Sequence, residues 1–358
     1  MSRESEAPLS EDPLRVIASA PPTFRAEDAR DVLKEQYGID GVLESLVSER
    51  DQNYRVTQAD GQQFVLKIAN AAEQKTVTEI QVQALLHIEN KRCAVATPRI
   101  VRTRDGSVST TMVDNAVVHI CRLVTYLPGR PAGDVPVDET LARNIGRSLA
   151  EIDIALADFE HVGESQALLW DLQRALEARP LLRQVRDDVL RESVSSCLAD
   201  FAEDGLHRLQ ALPRQVIHGD LNTGNVLVAA DDAASVAGVI DFGDMVRAPK
   251  VADLAIAASY MRSEADDPLA LIAALVAGYD EVVRLVRDEV VLLYDLVRVR
   301  LAISIAILHW RVSARAAEDA YRQASIHSEA DAALFFRLLG CGGRRLFTDR
   351  MMQATLDR

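Results

Sequence analysis

The chain has 358 residues, of which 48% are hydrophobic, and it carries a formal net charge of −14 at pH 7. This length and composition allow two lobes with separate cores and exclude an intrinsically disordered protein. The acidic charge and the lack of any Lys/Arg cluster argue against nucleic acid and anionic membrane surfaces as partners.

The cysteines and the first residues of the chain indicate in which cellular compartment the protein is expected. The four cysteines lie far apart with no CxxC spacing, which favours reduced thiols in the cytoplasm over disulfides or a zinc site. No apolar run is long enough to span a membrane. The first residues carry acids and prolines and no apolar segment, so we predict that residues 1–25 form a flexible tail and not a signal peptide.

Residues 26–127 predict a strand-rich N-lobe with one helix inserted in its sheet. Residues 26–37 favour a short helix that ends at Gly38. Residues 76–88 repeat apolar side chains on one helical face. Alternating apolar residues and Asp-Gly turns indicate the strands. The predicted strands are residues 42–47, 54–57, 64–68, 100–103, 108–113 and 117–124.

Residues 128–358 predict a helical C-lobe. The Pro128–Pro131 segment, PGRP, marks the boundary, and residues 141–156 place apolar side chains on one stripe of a helix. The further predicted helices are residues 185–212, 251–260, 269–286, 291–310 and 332–346, and two short strands are predicted at 226–228 and 236–240. The resulting prediction is an α+β, bilobal protein-kinase-like fold with a small mixed-sheet N-lobe and a larger helical C-lobe.

The most informative stretch is residues 216–244, which contains His218-Gly219-Asp220, then Asn225, then Asp241-Phe242-Gly243. Phosphoryl transfer needs a carboxylate that orients the attacking hydroxyl and accepts its proton, an amide oxygen on Mg²⁺, and a second carboxylate on the metal. Asp220, Asn225 and Asp241 supply these groups in this order. Either triplet alone is compatible with a turn or a strand end, but the ordered set favours a phosphoryl-transfer site.

A kinase site also needs a cation on the nucleotide phosphates. Lys67 lies inside the apolar run FVLKI, where an unpaired surface lysine is seldom found. Its predicted partner on helix 76–88 is Glu79, and Gln81 fits the helical phase about as well. There is no GxGxxG loop; residues 48–53 take its place, and their polar side chains, including Ser48 and Asn53, are suited to capping phosphates. A plain hairpin turn remains the alternative for this loop.

Five segments carry a family resemblance over residues 42–260. The chain resembles the aminoglycoside phosphotransferase–choline kinase superfamily, and within it hydroxylysine kinase and the kinase domain fused to class III aminotransferases. The segments are SERDQNYRV (48–56), FVLKIAN (64–70), LLWDL (168–172), VIHGDLNTGNVLV (216–228) and VIDFGDMVRAPKVADLAIA (239–257).

The resemblance implies Mg²⁺-dependent phosphorylation of a small-molecule hydroxyl, with ATP or GTP as co-substrate. It gives Lys67 a phosphate contact and Asp220 the role of base, and it makes Asn225 and Asp241 the metal ligands. Asp244 would face a substrate amine or stabilise its turn. Trp170 and Asp171 would form a wall of the substrate cleft, with packing in the core as the alternative for Trp170. Arg300 would either bind a substrate carboxylate or form one half of a structural ion pair.

The predicted function is therefore a cytoplasmic small-molecule kinase that forms a monomer or a homodimer. Its substrate is expected to be a small cationic or zwitterionic amino alcohol or hydroxylated amino acid, with 5-hydroxylysine first. The alternatives are an aminoglycoside, choline or homoserine-type kinase, and a non-catalytic nucleotide-binding module. A fragment of a larger fusion enzyme also stays open.

Overall fold

The computed structural model describes residues 19–262, 267–314 and 320–356. In this part of the chain no helix is long and apolar enough to cross a lipid bilayer. The first 18 residues of the predicted tail lie outside the described residues. Its last part contacts the N-lobe, because the side-chain amide of Asn70 donates to the carbonyl of Ala20 (3.1 Å) and the Phe24 amide donates to Gln52 Oε1 (2.8 Å).

The N-lobe is a six-stranded sheet flanked by two helices, and it confirms each element predicted from the sequence. The elements are α1 (Ala26–Val32), β1 (Val42–Leu46), β2 (Gln52–Thr57), β3 (Gln63–Ile68), α2 (Lys75–Lys91), β4 (Ile100–Val101), β5 (Thr110–Asp114) and β6 (Val117–Thr125). Helix α1 continues as a wider turn over Leu33–Tyr37 and ends at Gly38, whose φ of 70° lies in the left-handed region. The strand order is β1-β2-β3-β6-β4, with β5 paired to β6, and the pairs are antiparallel.

Side chains alternate between the two faces of this sheet, and the face that each one takes decides which residues reach the cleft. Val56, Leu66 and Leu123 lie on one face and are fully buried in the N-lobe core. In the strand register Asn53 opposes Lys67, and Lys67 opposes Arg122. Directly opposed residues share a face, and neighbouring residues on a strand point to opposite faces. The three polar residues therefore lie together on the face away from that core.

The C-lobe is mainly helical, with short strands around the segment that carries the sequence motif. The elements are β7 (Arg130–Pro131), α3 (Glu139–Leu156), α4 (Asp188–Asp200), α5 (Leu206–Gln210), β8 (Gln215–Ile217), β9 (Val226–Val228), β10 (Val236–Val239), β11 (Val246–Ala248), α6 (Lys250–Ala258), α7 (Ala270–Val282), α8 (Arg287–Ala314) and α9 (Ala320–Leu356). The short strands form two small sheets, β10-β9-β7 and β11-β8.

Two features of the C-lobe differ from the prediction. Residues Leu172–Gln184 form irregular 3-10 turns that were not predicted, because Pro180 interrupts the segment and no regular apolar stripe marks it. The last helix is also longer than predicted. Gly343, with φ 73° and ψ 164°, divides it at a kink.

Helices α3 and α7 pack with their backbones in contact through two glycines. A Cβ atom on Gly146 would overlap the carbonyl of Leu275, and a Cβ on Gly278 would overlap the carbonyl of Arg143. These glycines allow an approach that no other residue type permits. Helix α3 in turn contacts the strand that leads into the motif, because Gln215 Nε2 on β8 donates to the Asp153 carbonyl on α3 (2.7 Å).

Candidate active site

The loop that follows β8 carries Asp220 and is held rigidly by buried groups. The carboxylate of Asp253 accepts hydrogen bonds from the backbone amides of His218 (2.8 Å) and Gly219 (3.0 Å). His218 is fully buried, and its Nε2 lies 3.1 Å from the carbonyl of Ile240. Asp253 therefore caps this loop from the first turn of α6, and His218 joins the loop to the strand that leads to Asp241.

Asp220 is oriented through both of its carboxylate oxygens. Arg300 Nη2 donates to Oδ1 at 3.1 Å, and the side-chain amides of Asn222 and Asn225 donate to Oδ2 at 2.9 and 3.2 Å. Burial raises the pKa of Asp220 to about 7, although the Arg300 charge opposes this and the nearby Asp244 adds to it. Asn225 Nδ2 also donates to the Asp220 carbonyl (2.8 Å), which directs its amide oxygen away from Asp220.

Lys67 and Asp241 form an ion pair across the cleft. Lys67 Nζ lies 3.2 Å from Asp241 Oδ1, and this lysine is the main reason why the pKa of Asp241 lies well below its usual range. Asp241 has a φ of 62°, in the left-handed region that non-glycine residues seldom occupy. Backbone strain of this kind concentrates at functional sites, where the surrounding structure holds it in place.

The donor set beside this ion pair fits a hard divalent cation. Asp241 contributes a half-exposed, ionised carboxylate and Asn225 an amide oxygen, and both line a cavity of about 330 Å³. Among the described residues no group of three His, Cys, Asp or Glu side chains is arranged to hold a metal alone. Mg²⁺ commonly takes one or two protein ligands and completes its shell with phosphate oxygens and water, so these two residues suffice.

The loop between β1 and β2 takes its shape from side-chain hydrogen bonds in place of glycines. Asn70 donates its side-chain amide to the Arg50 carbonyl (3.1 Å), and its backbone amide donates to Asp51 Oδ1 (3.2 Å). The Asp51 amide donates to Ser48 Oγ (3.3 Å). Ser48 and Asn53 both line the 330 Å³ cavity, and Asn53 Oδ1 has no hydrogen-bond partner within the described ranges. The structure thus brings both residues to the predicted place.

The predicted partner of Lys67 is wrong. Glu79 lies on the outer face of α2 and pairs with Lys75 at 3.0 Å, so the structure does not bring it to the site. Gln81 faces the sheet, but its Oε1 accepts a hydrogen bond from Arg122. Arg122 is 2% exposed and neighbours Lys67 in the register, and it occupies the position that Lys67 would need to reach α2. Asp241 is the acid that pairs with Lys67.

A second cavity, of about 260 Å³, lies on the other side of Asp220. Trp170 lines it and is 9% exposed, so wall and core packing both describe this residue. Asp171 is not among its lining residues: its Oδ1 accepts the Gln173 amide (2.9 Å) and caps the 3-10 turns. The prediction of Asp171 as cleft wall is therefore wrong, because the carboxylate is used locally.

Arg300 and Asp244 lie at this second cavity in ion pairs. Arg300 is 4% exposed and donates to the Trp170 carbonyl (2.9 Å) as well as to Asp220, which favours the ion-pair alternative over a carboxylate clamp. Asp244 Oδ1 accepts from Arg50 Nη2 at 2.6 Å. The two cavities share five lining residues, and they therefore meet at Asp220: Glu49, Arg50, Asp220, Asn222 and Asp244.

The sequence interpretation missed Arg50, Arg122, Asn222 and Arg262. Local signals existed for two of them: Arg122 interrupts an apolar strand in the same way as Lys67, and Asn222 lies inside the HGDxxxxN motif. Arg50 lies in the loop 48–53 that was predicted to cap phosphates, but the role of its side chain was not predicted because its partner Asp244 is distant in sequence. Arg262 had no local signal.

The sequence of the chain is similar to that of a known enzyme family. A model of the phosphotransferase enzyme family matches residues 43–288. The hydroxylysine kinase of Mus musculus is 29% identical over 312 residues, which cover 81% of this chain and 83% of that protein.

Two solved structures share the fold. An amicoumacin kinase in complex with AMP-PNP, Ca²⁺ and Ami has a TM-score of 0.64 at 14% identity and covers 91% of this chain and 94% of its own. A microcompartment-associated aminopropanol kinase has a TM-score of 0.64 at 19% identity, with 90% and 100% covered. They confirm the predicted bilobal, kinase-like α+β fold. The family match contains every lining residue of the 330 Å³ cavity, whereas the 260 Å³ cavity is completed by residues of α8 and α9 that lie beyond the match.

Proposed function

The chain belongs to the phosphotransferase enzyme family, and on this premise we propose that it is a small-molecule kinase. Its proposed donor is ATP or GTP, and its proposed acceptor is a hydroxyl of 5-hydroxylysine or of a related amino alcohol. The observation that carries the proposal is the position of Asp220, which lies where the two cavities meet. One cavity offers Lys67, Asn225 and Asp241 to phosphates, and the other is lined by charges of both signs.

In the proposed reaction Asp220 accepts the proton of the substrate hydroxyl as its oxygen attacks the γ-phosphorus. The new O–P bond forms while the bond to the bridging oxygen of the nucleotide breaks, and the diphosphate leaves. Lys67 offsets the charge that develops on the phosphates. When bound by Asn225 and Asp241, Mg²⁺ supplies further neutralisation of that charge; the Ca²⁺ in the amicoumacin kinase complex supports a divalent site.

The second cavity supports a small zwitterionic substrate. It has a volume of about 260 Å³, and its lining carries both acidic and basic side chains, which suits the two charged ends of an amino acid. Arg262 lines it, and its nearest paired acid, Asp331, is 3.9 Å away. Burial lowers the pKa of this guanidinium. We assign Arg262 to the substrate carboxylate, and the name of the murine relative supports hydroxylysine as that substrate.

The test is nucleotide consumption with ATP and GTP in parallel, against hydroxylysine, homoserine, choline, ethanolamine and aminoglycosides. Turnover stimulated by hydroxylysine supports the proposal, and the better nucleotide identifies the donor. Stimulation by another acceptor alone rejects the substrate and keeps the kinase. Asp220→Asn is the matched control: it should lower turnover about 10²- to 10⁴-fold while nucleotide affinity stays unchanged. Equal turnover in this variant contradicts the mechanism.

A further inference from the structure

Arg50 lies at the tip of the loop between β1 and β2, and its side chain points into the cleft. Its backbone carbonyl is fixed by Asn70, and its side chain is 19% exposed. The guanidinium lies 5.6 Å from the ring centroid of Trp170 and donates to Asp244 at 2.6 Å. Arg50 is therefore held between the N-lobe loop and the segment that follows Asp241.

The surroundings of Arg50 are acidic and lie at the junction of the two cavities. Its positive charge is attracted by four nearby carboxylates: Asp244, Glu73, Asp241 and Asp51. Arg50 lines both cavities, as Asp220 does. A cation at this junction lies beside the place where a phosphoryl group has to pass between donor and acceptor.

We propose that Arg50 is a catalytic residue that binds the transferring phosphoryl group and exchanges Asp244 for phosphate oxygens. A guanidinium matches phosphate and carboxylate with the same two-pronged geometry, so the exchange replaces one charge-assisted pair by another. The transition state of phosphoryl transfer spreads charge over three equatorial oxygens, and a loop without glycines offers a side chain to them. This inference rests on the proposed function.

The exchange also assigns a role to Asp244. Once Arg50 contacts phosphate, the Asp244 carboxylate at the substrate cavity becomes available to an ammonium group. Each ligand then releases the binding partner of the other, so a triphosphate and an amine substrate bind with positive coupling, and the coupling is reciprocal. No covalent step is added to the reaction: the proton still goes to Asp220 and the diphosphate still leaves.

A purely structural role is the competing interpretation, in which Arg50 only joins the lobes. The chain offers a matched control for it. Arg311, on α8, pairs with Glu49 of the same loop at 2.7 Å, and so also joins this loop to the C-lobe. Arg311 lines the substrate cavity and is not among the residues that line the nucleotide-side cavity.

The experiment measures dissociation constants for Mg²⁺-AMP-PNP and Mg²⁺-ADP, and for the guanine analogues, by calorimetry on the full chain. Arg50→Gln should weaken the triphosphate analogue about 10-fold or more, the loss expected for a charged hydrogen bond, and should change the diphosphate much less. Arg311→Gln should change both nucleotides by the same small factor. Asp244→Asn, which releases Arg50, should leave triphosphate affinity unchanged or higher.

The double variant Arg50→Gln/Asp244→Asn removes both charges of the pair. It leaves no unpaired carboxylate at this position, so a loss of affinity in it cannot be attributed to misfolding around an unpaired Asp244. It should keep the selective loss of triphosphate affinity, and equal losses for triphosphate and diphosphate in this double variant would overturn the proposal. The coupling is read from the affinity for the acceptor with and without AMP-PNP: it should disappear in Asp244→Asn. Wild-type protein that binds no nucleotide would overturn the proposed function as well, whereas normal wild-type binding with unselective variants rejects Arg50 alone.

Discussion

Arg300 and Asp220, 80 residues apart in the sequence, form a partly buried ion pair in which Nη2 lies 3.1 Å from Oδ1. The same guanidinium donates its Nη1 to the carbonyl of Trp170. Arg300 thus fixes one oxygen of the carboxylate that we assign as base and leaves the other to Asn222 and Asn225. It is a positioning residue by this geometry.

Arg300→Gln should therefore lower kcat on the order of 10²-fold and leave the KM for the acceptor nearly unchanged, because small misplacements of a catalytic group cost rate and not affinity. Steady-state kinetics with saturating nucleotide measure both constants. Arg298→Gln, two residues away on the same helix, is the control and should be near wild type. A rise in KM without loss of kcat would instead support the carboxylate clamp.

Lys67→Ala and Glu79→Ala test whether Glu79, the predicted partner of Lys67, contributes to the site. Removal of Lys67 takes a cation from the phosphates and should lower kcat about 10²- to 10³-fold. Removal of Glu79 breaks only an exposed pair with Lys75 and should change the free energy of unfolding by less than about 0.5 kcal/mol. Turnover and chemical denaturation of both variants test this, and a large kinetic effect of Glu79→Ala would contradict the geometry.

The sequence predicted the groups of the motif, whose spacing is local, and missed the side-chain pairs that depend on packing. Asp220, Asn225 and Asp241 follow short strands in one stretch, so their order along the chain is enough to place them. Arg50 and Asp244 are 194 residues apart, and only the closure of the two lobes brings them together.

The choice on helix α2 failed for a different reason. Glu79 and Gln81 are two positions apart, which turns their side chains to nearly opposite sides of a helix, and no pattern in one helix shows which side meets the cleft. Arg122 settles the matter by filling the space between α2 and β3. The N-lobe strands, β9, β10 and most helices were predicted because their apolar periodicity is regular, whereas the short strands β7, β8 and β11 were not predicted.

Arg262→Gln tests the assignment of the substrate carboxylate. The variant should raise the KM for hydroxylysine about 10-fold or more, because a charged hydrogen bond to the ligand is lost. An amino alcohol that lacks a carboxylate should be used equally well by variant and wild type, if it is a substrate at all. A uniform loss toward both acceptors would place Arg262 outside substrate recognition.

Asp153, on α3, predicts an unusual dependence of stability on pH. It is 2% exposed, and Tyr279 donates its hydroxyl to Oδ2 at 2.5 Å. Burial, with help from the Asp253 charge, raises the pKa of Asp153 well above its usual range. The folded state therefore holds this proton more tightly than the unfolded chain, so the contribution of Asp153 to stability falls as pH rises above the ordinary carboxyl pKa of about 4.

Asp153→Asn cannot ionise, so its Tm should rise relative to wild type as pH increases above the ordinary carboxyl pKa of about 4. Thermal unfolding at several pH values measures the difference. Asp187 should have the opposite effect on the pH dependence of stability, because its hydrogen bonds to the Leu190 amide and to Arg337 lower its pKa. Asp187→Asn should lose Tm relative to wild type as pH rises. Parallel Tm curves for wild type and Asp153→Asn would contradict the assignment.

Gly278→Ala should strongly destabilise the C-lobe, because its Cβ would overlap the Arg143 carbonyl and force α3 and α7 apart. Overpacking of this kind costs about 1–3 kcal/mol or more in the free energy of unfolding. Gly340→Ala, inside the helix before the kink, is the control: its Cβ would meet only the Arg298 guanidinium, at 3.6 Å, and alanine in a helix is favourable by up to about 1 kcal/mol. Denaturant unfolding of the two variants should move in opposite directions.

The hydrogen bonds of Asn70 give the loop between β1 and β2 a fixed shape that glycines would not. Such a loop cannot peel away from the cleft by itself and moves with its sheet as one body. Before any ligand binds, opening of the cleft therefore requires the lobes to separate and the pairs Arg50–Asp244 and Glu49–Arg311 to break together. The rate at which the cleft opens to its ligands is thereby set by ion pairs between the lobes.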